Sequence, residues 1–194
     1  MAILKGPLFS VDARGKLADS LVYMIWKGIN DVRKYVVPAN PKSDLQTTQR
    51  GYMTSTVALW HSTAFNAADL AAFSNWAAVE SKAMSGFNRF VKDVVNAYIA
   101  SETIHPTFAL AVSDVTSSGF KVAATGETGD TYTLYYGKSP TNMHNEAVVT
   151  NTDGALTATL GSLDADTPYY FYIENTTATT WGRTGIVKQR TTAA

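Results

Sequence analysis

From residue 106 to its end the chain keeps one rhythm, in which short runs of alternating apolar residues are separated by clusters of Thr, Gly, Asp and Asn. The runs fall at Phe108–Val112, Gly119–Ala124, Thr131–Tyr136, Glu146–Val149, Leu156–Leu160, Tyr169–Glu174 and Gly185–Arg190. Turn-forming stretches such as SDVTSSG, GETGD, GKSPTN, NTDG and LDADTP lie between them. A period of two sends alternate side chains to opposite faces, so each run can bury one face and wet the other. Seven such runs in 89 residues predict two packed antiparallel sheets, a β-sandwich.

Upstream the pattern differs. Leu21–Trp26 and Val32–Val37 are rich in β-branched and aromatic residues, and KGIND between them predicts a β-hairpin. Pro38 and Pro41 end it. Three helical patterns follow. The first runs from about Asp44 to Ser62, capped by Ser43 or Asp44, with Met53, Val57, Trp60 and Ala64 on one stripe. The second follows Asn66 as N-cap and carries Leu70, Phe73, Trp76 and Ala77, with Asp69 favourably placed in its first turn. The third begins near Ser85-Gly86 and carries Phe87, Phe90, Val91, Val94, Val95, Tyr98 and Ile99. The character of the chain changes at Ser101–Pro106, where Pro106 biases His105 toward an extended conformation. The reading is therefore an α+β chain of two domains: a mixed hairpin and three-helix docking domain over 1–105, and an all-β sandwich over 106–194.

Composition narrows the function. Charged residues are only 16% of the chain and the net charge is zero. Residues 1–105 hold eleven Lys and Arg against eight Asp and Glu, and the remainder holds five against eight. Neither half has the strong basic field of a nucleic-acid binder, so no nucleic-acid partner is expected. Cysteine is absent, which excludes disulfides, thiol catalysis and cysteine-ligated metal. No run approaches the roughly twenty apolar residues of a membrane span, and MAILKGPLFSVDARG does not read as a secretory leader. No membrane partner and no cofactor are expected.

Within the second half, Leu163-Asp-Ala-Asp-Thr-Pro-Tyr-Tyr-Phe-Tyr-Ile173 is similar to the E–F corner of fibronectin type III domains, which are immunoglobulin-like sandwiches. Leu163, Thr167, Tyr169, Phe171 and Ile173 take the signature places. The resemblance implies that Tyr169 is the structural corner tyrosine, its ring buried and its hydroxyl bonded back to the backbone, with Tyr170 and Tyr172 facing the other way. The family's strand-B tryptophan is missing, so Phe120 or Val122 must fill its space. The first half resembles a recurrent type of short phage and prophage protein. The resemblance lies in Gly15-Lys16, the hairpin, Asn40-Pro41-Lys42-Ser43, Gln46, Gln49-Arg50, Trp60, Trp76 and Ser85-Gly86-Phe87-Asn88-Arg89-Phe90. It implies a virion-associated structural context and no particular activity.

The residues with reactive or ligating side chains do not assemble into a known catalytic motif. His61, His105 and His144 are dispersed, and each reads as a surface or capping residue. Asp153, Asp164 and Asp166 could open a calcium loop, but they read better as turn residues. Lys27, Arg33, Lys34, Lys42 and Arg50, with Tyr23 or Tyr35, read as a solvated face rather than a nucleic-acid patch. Asn175-Thr176-Thr177 is a glycosylation sequon in form only. Trp181, flanked by small polar residues, is either an exposed interface anchor or a plug folded onto the sandwich end.

Two functions follow from these readings. The first is a non-enzymatic virion structural protein of a tailed phage: a capsid decoration, connector or tail-associated subunit, assembled in the host cytoplasm. It would bind other virion proteins or copies of itself in a larger assembly, with Trp60, Trp76, Phe87, Phe90 and Trp181 as interaction residues. The alternative is a cell-surface or carbohydrate-binding accessory module, using Tyr170, Tyr172 and Trp181 as an aromatic platform.

Overall fold

The computed structural model describes residues 15–18, 20–80 and 83–194, so the leader-free reading of the first fourteen residues lies outside the described residues. Backbone contacts divide the chain after Ser43 into a small N-terminal unit and a unit running from Asp44 to Ala194.

The N-terminal unit is an antiparallel sheet of three strands, β1 (Gly15–Leu17), β2 (Leu21–Trp26) and β3 (Ile29–Lys34), in that order. The hairpin is tighter than the sequence suggested. Its turn is Lys27-Gly28 alone, with φ of 50° and 80°, and Trp26 sits opposite Ile29. Two consecutive residues with positive φ make a turn whose twist matches that of the strands it joins, and glycine takes the second position without strain. The tight turn starts β3 three residues early. Val36 and Val37, expected to be paired, therefore fall beyond the strand and stand exposed.

The larger unit opens with α1 (Asp44–Ser62), α2 (Ala67–Glu80) and α3 (Gly86–Ile99). Ser85 caps α3, its hydroxyl accepting from Asn88 N–H. The buried face of α1 is rotated from the stripe read in the sequence: Thr56 is fully buried, whereas Met53 and Ala64 are exposed. Leu70 of α2 and Ile99 of α3 also face solvent, while Phe73, Trp76, Ala77, Phe90, Val91, Val94 and Val95 are buried.

Each of the seven runs read from the sequence is a strand, with its ends shifted by at most two residues. They are β5 (Phe108–Ser113), β6 (Phe120–Thr125), β7 (Tyr132–Gly137), β8 (Asn145–Val148), β10 (Ala155–Leu160), β11 (Pro168–Asn175) and β13 (Val187–Arg190). A short β9 (Thr150–Thr152) extends one sheet. A separate parallel pair joins β4 (Thr103–Ile104) to β12 (Thr180–Trp181). The two main sheets have the orders β5-β6-β10-β9 and β13-β11-β7-β8. Lettered along the chain, these are A-B-E-D and G-F-C-C′, the immunoglobulin-like arrangement. Leu110, Phe120, Val122, Leu134, Leu156, Phe171 and Ile173 fill the space between them. Phe120 and Val122 are both buried in that core, with the Phe120 ring 5.5 Å from that of Phe171. Tyr169 is buried, and its hydroxyl accepts from Asp164 N–H at 3.0 Å, closing the corner.

The compact units do not follow the change of composition at residues 105/106. That change marks where helices give way to strands, but the helices and the sandwich share one unit from Asp44 onward. The joint is built from backbone polar groups. Asn66 and Asp69 form a reciprocal capping box at the start of α2, each side chain accepting the other's N–H at 2.9 Å. Opposite them β5 is bulged between Phe108 and Ala111, with Ala109 at φ 55°. A bulge frees backbone groups from the ladder. Here Asp69 accepts from Ala109 N–H at 2.8 Å and Leu110 N–H at 3.1 Å, and the Asn66 amide donates to Leu110 O at 3.0 Å. Farther along α2, Ile186 N–H donates to Ala72 O, and the Asn75 amide donates to Ile186 O. Gly185 lets this segment approach, because a Cβ there would lie 2.2 Å from the Ala72 carbonyl carbon.

Candidate functional site

The aromatic residues expected to dock on a partner meet one another instead. Trp60, Phe65, Phe73, Phe87 and Phe90 form one cluster; the Trp60 centroid lies 5.0 Å from that of Phe90 and 5.5 Å from that of Phe87. Trp76 stacks beside Phe73, and Trp181 reaches over from the sandwich to set its ring edge-on to Phe90 at 5.7 Å. The Trp181 indole N–H donates to Asp93 Oδ2 on α3 at 3.1 Å. Trp76 and Phe90 are thus buried in a cluster that helices and sandwich share, and Trp60, Phe87 and Trp181 are half-buried against it rather than standing out as separate anchors. The physical reason is simple. Three aromatic faces too large for a lone helical trio are covered once the outer face of the G-F-C-C′ sheet is brought against them. Trp181 neither stands exposed at a loop tip nor folds back onto the sandwich end; half-buried, it packs on α3.

The same packing engages Tyr170 and Tyr172. Both face away from the sandwich core, and neither is free: Tyr170 packs in the helical cluster, and Tyr172 stacks on Tyr135 at 5.2 Å. Arg183 lies 3.7 Å from the Tyr172 ring centroid and 4.0 Å from that of Trp76. Arg89 lies 4.0 Å from the Trp76 centroid as well. One ring face has room for one guanidinium at that distance, so the two arginines cover both faces of Trp76. Arg89 pairs with Glu80 at 2.6 Å and Asp93 at 3.2 Å.

Two histidines keep to the surface, His61 at the end of α1 and His144 before β8. His105 does not stand alone as the sequence suggested. Its Nδ1 lies 2.6 Å from Asp130 Oδ2, to which the Asn175 amide also donates at 2.7 Å. Burial pushes the Asp130 carboxyl up, but the bonds from His105 and Asn175 outweigh this and hold it below its ordinary range. This cluster ties the segment after α3 to the end of the sandwich. It also consumes the sequon, because Asn175 is buried with its amide engaged. Asp164 pairs with Lys138 and Asp166 with Arg190, while Asp153 sits at φ 51° in the turn before β10. These aspartates hold turns. In the N-terminal sheet Lys16 lies 4.4 Å over the Tyr35 ring, and Arg33 and Lys34 are exposed.

No protein-family model matches the chain, and no curated protein does. Among solved structures it is similar to a fibronectin type III domain of human contactin 1, at 19% identity and a TM-score of 0.36, over 45% of this chain and 77% of that one. It is similar to the FN5 domain of Drosophila Lar at 12% identity and a TM-score of 0.36, over 48% of this chain and 99% of that one. The sensor domain of the anti-sigma factor RsgI4 of Pseudobacteroides cellulosolvens matches at 16% identity and a TM-score of 0.35, over 44% and 74%. The sandwich assignment rests on the strand order itself.

Proposed function

We propose that this chain is a non-enzymatic structural and interaction module, a subunit of a tailed-phage particle that attaches through its N-terminal sheet. It would serve as a capsid decoration, connector or tail-associated protein, bound to other virion proteins or to copies of itself, in a virion assembled in the host cytoplasm. The phage context comes from the resemblance of residues 12–100 to short phage and prophage proteins. The point of attachment comes from the unit over residues 15–43, the sheet and the segment after it, in which no described side chain is buried and Ile25, Ile29, Val32, Val36 and Val37 are all exposed. So small a sheet needs a covered face, and exposed apolar edges are what a neighbouring chain extends or covers. The docking residues are therefore these five and not the aromatic cluster.

The titratable groups that converge in the larger unit support a structural role, since His105–Asp130–Asn175 and Arg89–Glu80–Asp93 are spent on joining elements. The carbohydrate-binding alternative is less favoured, because Tyr170, Tyr172 and Trp181 are half-buried and engaged by neighbouring side chains rather than forming one open platform. The test is co-sedimentation with purified phage particles from a producing strain, comparing the full chain with a chain beginning at Asp44. The full chain should sediment with particles at moderate salt, and the shortened chain should stay free. Equal sedimentation of both would refute attachment through the sheet, and failure of the full chain to bind or label any particle would refute the virion role.

A further inference from the structure

β3 is an edge strand of the N-terminal sheet. β2 pairs with it on one side, and among the described residues no strand pairs with it on the other. The register decides which backbone groups face out. Tyr35 N–H donates to Ser20 O, so the odd-numbered residues of β3 turn their N–H and C=O groups toward β2, and those of Asn30, Val32 and Lys34 point away. Such an open row is a template for another strand. Edges are commonly blunted by charge, and Asp31, Arg33 and Lys34 are all exposed. The order of these charges matters more than their number. Asp31 precedes the exposed Val32 and Arg33 follows it, both on the face opposite that of Val32. Across the β2–β3 ladder they stand against Met24 and Val22, and among the described residues neither has an ion-pair partner.

We propose that the free edge of β3 pairs with β3 of a second copy of this chain, antiparallel about a two-fold axis at Val32. In that register Val32 meets its own copy, Asp31 meets Arg33, and Arg33 meets Asp31. Val32 faces out, so the central pair exchanges both hydrogen bonds, and Asn30 and Lys34 exchange theirs on either side. Asp31 and Arg33 then form the non-hydrogen-bonded pairs, where cross-strand side chains stand closest, with Cβ atoms about 4.5–5.5 Å apart. The two-fold axis makes each ion pair twice. Neighbouring registers lose this match. Centring the axis on Asp31, Arg33 or Lys34 sets that residue against its own copy, like charge against like. Centring it on Asn30 carries Asp31 to Ile29 and leaves the carboxylate unanswered. Pairing at Val32 also doubles a sheet that is small on its own and joins the two faces that carry Val32, Tyr23 and Ile25. The proposal rests on the reading of residues 15–43 as the attachment unit and names the partner on one of its edges. Self-association is measured without phage particles, so it can fail while co-sedimentation succeeds, and the reverse.

The experiment is sedimentation velocity of the pure full chain over a concentration series reaching about 0.5 mM, where even a small interface should show a monomer–dimer equilibrium. Asp31→Arg and Arg33→Asp each set like charges together at both pairs, and each should weaken the dimer by on the order of tenfold. Mixed in equal amounts, the two variants complement each other at both pairs and should dimerise with one another as wild type does with itself. Exchanging the two residues in one chain, Asp31→Arg with Arg33→Asp, should restore the dimer in the same way. Val32→Pro removes the central N–H, which takes no part in the β2–β3 ladder, and should leave a folded monomer. A wild type that stays monomeric throughout the series would overturn the proposal, whether another protein takes the edge or none does. So would a dimer that ignores both single charge reversals, mixed variants that fail to pair, or a dimer that survives Val32→Pro. The wild-type and mixing results stand even if the proline variant fails to fold.

Discussion

Asp69→Ala is the sharpest test of how the helices and the sandwich are joined. The Asp69 carboxylate is 2% exposed and accepts three backbone N–H groups: Asn66 at 2.9 Å, Ala109 at 2.8 Å and Leu110 at 3.1 Å. Alanine leaves all three donors without their acceptor. Two of them belong to the β5 bulge, where Ala109 already holds a left-handed backbone that L-residues avoid. Hydrogen bonds to a charged acceptor contribute about 1.5–3 kcal/mol each, and an orphaned buried donor costs about 1–3 kcal/mol. Water entering the vacated space recovers part of this, so the expected loss is about 3–5 kcal/mol. In a unit of this size, that is a fall in Tm on the order of 10 °C. Chemical denaturation of the chain from Asp44 to Ala194 should be followed by far-UV circular dichroism, for the helices, and by tryptophan fluorescence. Both signals should move together, in wild type and variant. A loss under about 1 kcal/mol, or a helical transition separating from that of the sandwich in the wild type, would refute the joint.

Three further outcomes are expected. Trp181→Ala should cost about 3–5 kcal/mol in denaturant unfolding and Trp181→Phe about 1–2 kcal/mol, since phenylalanine keeps the contact with Phe90 and loses only the bond to Asp93; a near-neutral Trp181→Ala would show that the ring is not part of the core. Gly185→Ala should destabilise by about 1–3 kcal/mol through collision with the α2 backbone, whereas Gly161→Ala, with open space around it, should change the melting temperature little; equal effects would contradict the close approach. Asp130 has its folded pKa below the unfolded value of 3.8, so its contribution is present above about pH 4 and fades as the pH falls through the folded value. Asp130→Asn should therefore flatten the acid side of the stability–pH curve below pH 4, and an unchanged slope would count against the His105–Asp130–Asn175 cluster.

Much of the secondary structure was legible in the sequence. Period-two alternation fixed each major strand of the sandwich to within two residues, because a strand buried on one face has few other patterns available. Asn66 and Ser85 announced the helix starts they cap, since their short polar side chains satisfy N–H groups that a helix leaves open. The turn motif around Tyr169 located the corner that its hydroxyl closes.

Other features depend on residues far apart in the chain. Periodicity says that the faces bearing Trp60, Trp76, Phe87 and Phe90 must be covered, but not by what. Cover from the chain's own sandwich and cover from a partner leave the same pattern in the sequence. Only the tertiary structure shows that Trp181, Gly185 and Ile186 close over those faces, and so moves the free apolar surface to residues 15–43. The pairing of His105 with Asp130, the reach of Asp69 to a bulge 40 residues away and the stacking of Arg183 between Trp76 and Tyr172 are equally invisible locally. Each joins side chains whose separation in space is set by how the sheet and helices pack, and one strand or one helix carries no information about that.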